Sequence, residues 1–288
     1  MRKRFGVLML MLWGAVLAAS NVARAEHFRL AMPSEDDDYI IGLFSLALEA
    51  ADGDHSFEVV RRVMLVQNRA LRALADDRAR YDVHYSGYDP DREKEFAMVP
   101  FPITRGMLGH RLLAVTAGNQ NILAGVKSVE DLKAFRLGSG SDWPDTKILE
   151  SAGLNVVKGS DANLWPMLAR HRFDAFPRGI NEIMAEIEGD RTQTYGANMA
   201  IEKNVILVYR FDHFFYLSQK NRVRAYILEQ GLKNAFESGA LDAYLQKVDR
   251  FQAVFAEMKQ NPRRIIRLKN PLWDQSTRQI PDKYWREY

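Results

Sequence analysis

The chain has 288 residues, with 40 Lys and Arg against 37 Asp and Glu, 47% hydrophobic residues and no Cys. That length supports one large or two ordinary domains around a real core, and the composition excludes a disordered, collagenous or low-complexity chain. Without Cys there is no disulfide framework, thiolate zinc site, iron–sulfur cluster, cysteine nucleophile or lipoprotein anchor.

Residues 1–25 open with Arg2, Lys3 and Arg4, run apolar from Val7 to Ala19 and close on Ala23-Arg24-Ala25, which reads as a secretory signal with an A-x-A cleavage site. The apolar run is shorter than the ~20 residues that span a bilayer. Removing Arg2, Lys3, Arg4 and Arg24 leaves 36 basic residues against 37 acidic ones, so the net positive charge, and any nucleic-acid reading built on it, leaves with the signal. The mature protein is expected to start at Glu26 as a soluble exported chain with no transmembrane segment.

Phe28 to Met32 reads as a first strand, followed by a helix through Ile41, Phe44 and Leu48. Phe57 to Val63 is a second strand, with a helix through Leu71 and Leu74 after it. Tyr81 to Tyr85 is a third, running into a Ser86-Gly87 break and the turn Tyr88-Asp89-Pro90-Asp91-Arg92. Arg111 to Thr116 is extended, Ser128 with Asp131 forms a capping box, and Phe135 to Gly138 is a brief strand. Gly138 to Asp142 then reads as a loop before a helix bounded by Pro144 and Gly153. A helix through Leu164 and Leu168 precedes a strand at Arg172–Phe176. Asn204 to Leu217 reads as one long strand, and Asn221 opens a helix whose apolar face is Tyr226, Leu228, Leu232, Ala235 and Phe236, closed by Gly239. The last 30 residues, Lys259 to Tyr288, hold eight basic and three acidic residues and read as a solvated or partner-facing strap. This alternation of strands and helices specifies an α/β architecture.

The six His residues, at 27, 55, 84, 110, 171 and 213, show no ligand spacing, so no metal is expected, and no nucleotide-binding or nucleophile motif implies a cofactor or a catalytic residue. Three features suit capture of a small polar ligand. Arg92, just after the third strand and beside Ser86 and Tyr88, can present a planar fork to a carboxylate. Ser139 and Ser141 sit in a Gly-rich segment at a helix N-terminus, a place for an anion, with Trp143 as a wall. Arg178 follows Phe176-Pro177 at a strand end and would face the same cleft.

In this order, Tyr81-Asp82-Val83 with Ser86-Gly87, Arg92, Pro100-Phe101-Pro102, Ser128-Val129-Glu130-Asp131-Leu132, Leu137-Gly138-Ser139-Gly140-Ser141 and Arg172-Phe173-Asp174-Ala175 resemble the family 3 extracellular solute-binding proteins over residues 27–250. Through Asp142-Trp143-Pro144-Asp145-Thr146, Phe176-Pro177-Arg178 and Asn270-Pro271-Leu272 the chain looks closest to uncharacterised transporter substrate-binding-domain proteins. The resemblance implies a type II periplasmic-binding-protein fold, two α/β lobes joined by a two-strand hinge and closing on ligand. It divides the mature chain into lobe 1 (26–113 and 207–258), lobe 2 (114–206) and the basic strap (259–288).

It also implies a monomeric receptor, not an enzyme, that delivers an anionic or zwitterionic amino-acid-like molecule to an inner-membrane permease. Arg92 matches the Arg that holds a ligand carboxylate. The acid expected to receive an α-amino group is not evident, since Arg178 and Gly179 occupy that stretch, so a ligand with several negative charges would suit two Arg residues better. Alternatives are a secreted lyase or dehydratase using Asp142, Asp145 or Glu182, and a sensor subunit of a membrane signalling protein.

Overall fold

The computed structural model describes residues 25–32, 38–61, 67–76, 79–189, 198–273, 277, 279–286 and 288. All of the expected signal except Ala25 lies outside them. In chain order the first elements are β1 (His27–Met32), α1 (Asp38–Ala50), β2 (Ser56–Arg61), α2 (Gln67–Ala75), β3 (Val83–Gly87), α3 (Pro90–Glu95) and β4 (Phe96–Met98). Then come β5 (His110–Thr116), α4 (Val129–Leu132), β6 (Arg136–Gly140), α5 (Pro144–Ser151), β7 (Asn155–Gly159), α6 (Asp161–Ala169), β8 (Phe176–Gly179), α7 (Ile183–Glu188) and β9 (Met199–Ile201). The chain ends with β10 (Val205–Val208), β11 (His213–Ser218), α8 (Arg222–Glu237), α9 (Ala240–Leu245), α10 (Asp249–Gln260) and β12 (Arg264–Arg267).

One lobe is built on the sheet β2-β1-β3-β11-β4, in which β1 pairs in parallel with β2 and β3, and β11 runs antiparallel to β3 and β4. The other is built on β12-β10-β5-β8 with β9 against β5; β6 and β7 extend it through a parallel bridge from Leu137 to Ala175. In the first lobe α1 buries Tyr39, Ile40, Leu43, Phe44, Ala47 and Leu48, a stripe at helical spacing, and sets Phe44 against Phe28 and Phe215. Helix α8 lies directly on α1. A side chain at Gly231 would come within 1.8 Å of the Ala47 carbonyl oxygen, so only glycine permits that approach. Local signals behave as expected: Ser128 and Asp131 make the capping box, and Pro144 and Gly153, with φ of +74°, bound α5.

The structure corrects several expectations. The stretch 204–217 is two strands in different sheets, because Tyr209 to Asp212 turns the chain from one lobe to the other. Ser86, Gly87, Ser139 and Gly140 are ladder residues of β3 and β6, not loop, and the strand that reaches Gly138 continues through Gly140. The strand placed at 172–176 starts at Phe176, since Asp174 is drawn off by Arg136, whose backbone and guanidinium both bond its carboxylate. Tyr226 is 60% exposed; the buried face of α8 is Ala225, Leu228, Gly231, Leu232 and Ala235. Finally, the basic strap is packed rather than solvated: β12 pairs in parallel with β10, and Leu268, Thr277, Ile280 and Tyr284 are buried.

Strands β5 and β10 lie wholly in the second sheet, so the two expected crossings fall at residues 99–109 and 209–212 rather than at 113 and 207. The carboxylate of Asp212 ties these crossings together. It accepts from the Thr104 amide (3.0 Å), the Thr104 hydroxyl (2.8 Å), the Gly106 amide (2.5 Å) and the His213 amide (2.6 Å). Asp212→Ala strands these buried donors and is expected to lower unfolding free energy by about 3–5 kcal/mol, read from urea denaturation. A loss below about 1 kcal/mol would show that the crossings hold without it.

Candidate functional site

The cleft between the lobes is built around Arg92, which α3 carries back over the end of β3. Asp89 caps this helix by accepting from the Asp91 amide, and Pro90 sits in its first turn. The Arg92 side chain is 7% exposed. Its Nη1 donates to Ser86 Oγ (2.6 Å), the Gly87 carbonyl (2.9 Å) and Gln67 Oε1 (3.2 Å), and its Nη2 donates to Asn68 Oδ1 (3.0 Å) and the Asp142 carbonyl (3.2 Å). All five acceptors are neutral, and among the described residues no carboxylate forms a salt bridge with this guanidinium. Burial lowers the Arg92 pKa, an effect that Tyr216, Asp89, Asp142 and Asp145 partly oppose.

The last of those hydrogen bonds crosses the cleft. So do the Asn68 amide to Asp142 Oδ2 (3.2 Å) and the Lys147–Asp89 pair (2.7 Å), so the segment opening α5 lies directly on α2 and α3. Arg92 and Ser86 therefore meet as the sequence suggests. Gln67 and Asn68, which complete their surroundings, carried no signal beyond their place at a helix start.

The remaining candidates are placed differently. Tyr88 is fully buried behind the site, its hydroxyl on Glu93 (2.8 Å) and its ring against Phe214 and Trp273, which makes it a core residue. Ser139 is buried with its hydroxyl 2.6 Å from that of Thr146. Exposed Ser141 bonds the Gly159 carbonyl, and the Gly138 amide bonds Ala175, so the expected anion cradle has much of its hydrogen-bonding capacity already engaged. Trp143 does form a wall. Its ring lies over Gly140, where a Cβ would sit 2.3 Å away, stacks on Phe176 and carries the Arg178 guanidinium 4.7 Å above it.

Arg178 does not offer a free charge to the cleft. It is bonded through Nε and Nη2 to both oxygens of Glu186 (2.6 Å each) and lies 3.1 Å from Glu182. Its charge is answered inside its own lobe. The sequence reading missed Arg111, which at 2% exposed lies 3.0 Å from Asp145, 3.4 Å from Glu182 and 2.9 Å from the Tyr209 hydroxyl. It stands in a strand that reads as plain core, and only its charge there could have marked it. Two guanidiniums thus share three carboxylates. Burial raises the Glu182 pKa against the pull of Arg178 and Arg111.

No family model matches the sequence, and no curated protein matches it. Solved structures do. An ancestral arginine-binding protein bound to arginine superposes with a TM-score of 0.54 at 17% identity, over 77% of this chain and 97% of its own. The amino acid ABC transporter substrate-binding protein AbpA from Streptococcus pneumoniae, bound to L-arginine, gives 0.55 at 15% identity over 79% and 95%. The chain has the fold of the two-lobed solute-binding proteins. A structure from the glutathione and cystine import system of Streptococcus mutans shares that solute-binding fold, with a TM-score of 0.53 at 13% identity over 78% and 95%. No helix among the described residues is long and apolar enough to cross a membrane.

Two imidazoles lie close enough to this site to feel its charges. His213, half-buried opposite Gly87, and His84, 3% exposed with both ring nitrogens unpartnered, are held neutral by burial and by nearby guanidiniums. The His84 pKa falls to about 4. Unfolded, it binds its proton near 6.5, so stability present above that pH is lost as pH falls toward 4. Asp212, raised to about 7 by burial, acts with the opposite sign over the same range. His84→Leu leaves the Asp212 contribution in place, so its stability is expected to fall less than the parent's between pH 7 and 4, by up to roughly 3 kcal/mol. Parallel curves from urea unfolding across that range would remove His84 from the acid response.

Proposed function

We propose that this protein is an exported solute-binding receptor that captures a small zwitterionic, amino-acid-like molecule between its lobes and hands it to a membrane permease. The observation that carries this reading is Arg92: a buried guanidinium held by five neutral acceptors and, among the described residues, by no carboxylate. An uncompensated buried charge is costly, and a ligand carboxylate would offset that cost through a charge-assisted, two-pronged contact. The lobes part at Asp142, and the ligand takes over the Nη2 side of Arg92.

The facing wall supports a single-carboxylate ligand over one with several negative charges. Arg178 and Arg111 are already paired, so neither offers a free cation to a second ligand anion, and the carboxylates of Asp145 and Glu182 give this wall the sign that attracts a ligand ammonium. The acids that a lyase or dehydratase would require are likewise engaged: Asp142 by the Asn68 amide, Asp145 by Arg111, Glu182 by both guanidiniums. Structural neighbours include substrate-binding proteins of amino acid ABC transporters, which favours a permease as the partner. The sequence signal and that fold together favour a monomer in the periplasm.

Calorimetric titration with the twenty amino acids and glutathione tests the proposal. With the compound that binds, Arg92→Ala is expected to lose about 2–5 kcal/mol of binding free energy, and Arg92→Lys to recover part of it. Arg178→Ala is expected to reduce stability more than affinity. Full affinity in Arg92→Ala, or chemical conversion of the bound compound, would overturn the receptor reading.

A further inference from the structure

The chain passes between the lobes on more than the two crossings that Asp212 joins. Helix α10 starts on lobe 1, where Phe251 meets Tyr39 (ring centroids 4.8 Å apart), and continues against α7 of lobe 2. The chain is then fixed to lobe 2: Arg263 Nε bonds the Glu202 carbonyl (2.8 Å), Arg264 bonds the Val126 carbonyl, and β12 runs beside β10. From there it returns. Asn270 bonds the Arg210 carbonyl (2.9 Å) at the crossing, Trp273 packs on Tyr88, and Tyr284 packs on Phe101 (4.7 Å) and Phe236 (5.0 Å) of lobe 1.

The returning segment also grips the crossings themselves. Arg210 lies over Trp273 (5.1 Å) and Trp285 (4.6 Å) and pairs with Asp282 (2.7 Å). The Arg286 amide bonds the Arg105 carbonyl (2.9 Å), and Arg105 Nη2 bonds the Lys283 carbonyl (3.0 Å). Tyr288 closes the loop, stacked on Phe255 of α10 (5.3 Å) and set edge-on to His110 at the start of β5 (5.4 Å).

We infer that residues 249–288 form a brace across the back of the hinge, anchored in both lobes, that restricts their opening and holds the cleft near its closed arrangement before any ligand arrives. Two crossings alone leave two lobes free to rotate about a pair of strands. A third and a fourth pass, each buried by aromatic contacts, remove most of that freedom. The fraction of molecules ready to bind rises accordingly, and a ligand spends less of its binding energy on closing the lobes. The brace stands on contacts remote from Arg92 and does not depend on which molecule the cleft takes.

Because the chain has no Cys, two spin labels can be placed without background, at Lys94→Cys on lobe 1 and Glu130→Cys on lobe 2, both exposed. Pulsed dipolar distances on the full ligand-free chain should give a single narrow distribution. Trp285→Ala, which removes the ring beneath Arg210, is expected to lengthen and broaden it; Tyr288→Ala, which frees α10 from the end of the chain, should do so independently. Arg267→Ala, on the exposed side of β12, should leave it unchanged. If Trp285→Ala fails to fold by circular dichroism, Tyr288→Ala decides. An unaltered distribution in a folded brace variant, or a broad one in the parent, would overturn the inference whatever the titrations show for Arg92.

Discussion

A buried carboxylate with four donors, Asp212, sets the geometry on which the cleft depends. Its hydrogen bond to the His213 amide and its grip on the Thr104–Gly106 turn fix where β11 begins. That start places His213 opposite Gly87, and the Gly87 carbonyl in turn receives Arg92 Nη1. The two crossings are in backbone contact here: a Cβ on Gly109 would lie 2.0 Å from the Tyr209 carbonyl oxygen, which leaves glycine as the residue that fits. A displacement at Asp212 is thus passed through one strand register to the guanidinium, without any side chain in the cleft having changed.

Three buried guanidiniums make the contrast that gives the cleft its character. Removing a guanidinium from water is expensive, and a close carboxylate with good geometry is the usual compensation. Arg111 and Arg178 have theirs, Asp145 and Glu186 respectively with Glu182 shared between them, and the Trp143 and Phe176 rings flank Arg178. Their pKa values rise despite burial, whereas that of Arg92 falls because burial dominates it. Lobe 2 therefore presents a finished wall, and lobe 1 an unfinished charge.

How much of this the sequence disclosed follows from the range over which each signal acts. The apolar positions of α2 and α6, the capping box, Pro144, Gly153 and Gly239 are local signals, and they fell where their own physics put them. Arg92 was legible because its turn, Asp89-Pro90, is local too. Arg178 was misread because its partners, Glu182 and Glu186, lie on the following helical turn and face it only once β8 and α7 have docked. The 204–217 stretch was read as one strand because apolar continuity carries no information about which sheet a residue joins; a polar residue inside that run, Asp212, was the available clue. The strap was misjudged through its charge. Eight basic residues suggested solvent, while its aromatic residues, spread singly among them, show their common purpose only when the fold gathers Trp273, Tyr284, Trp285 and Tyr288 along one side of the hinge.

The division of labour between the two sides of the hinge follows from the strength of their contacts. On the cleft side the lobes touch through hydrogen bonds of 3.2 Å from Arg92 and Asn68 to Asp142 and through Lys147–Asp89, whose lysine is about half exposed. A half-exposed ion pair contributes little, and the carboxylate of the proposed ligand would compete well for Arg92. On the opposite side, buried rings and a parallel strand pair hold the chain to both lobes. If the brace holds the back fixed as inferred, the mouth parts at small cost, and the opening that would admit a ligand is a local separation of α5 from α2 and α3 rather than a wide swing of one lobe against the other.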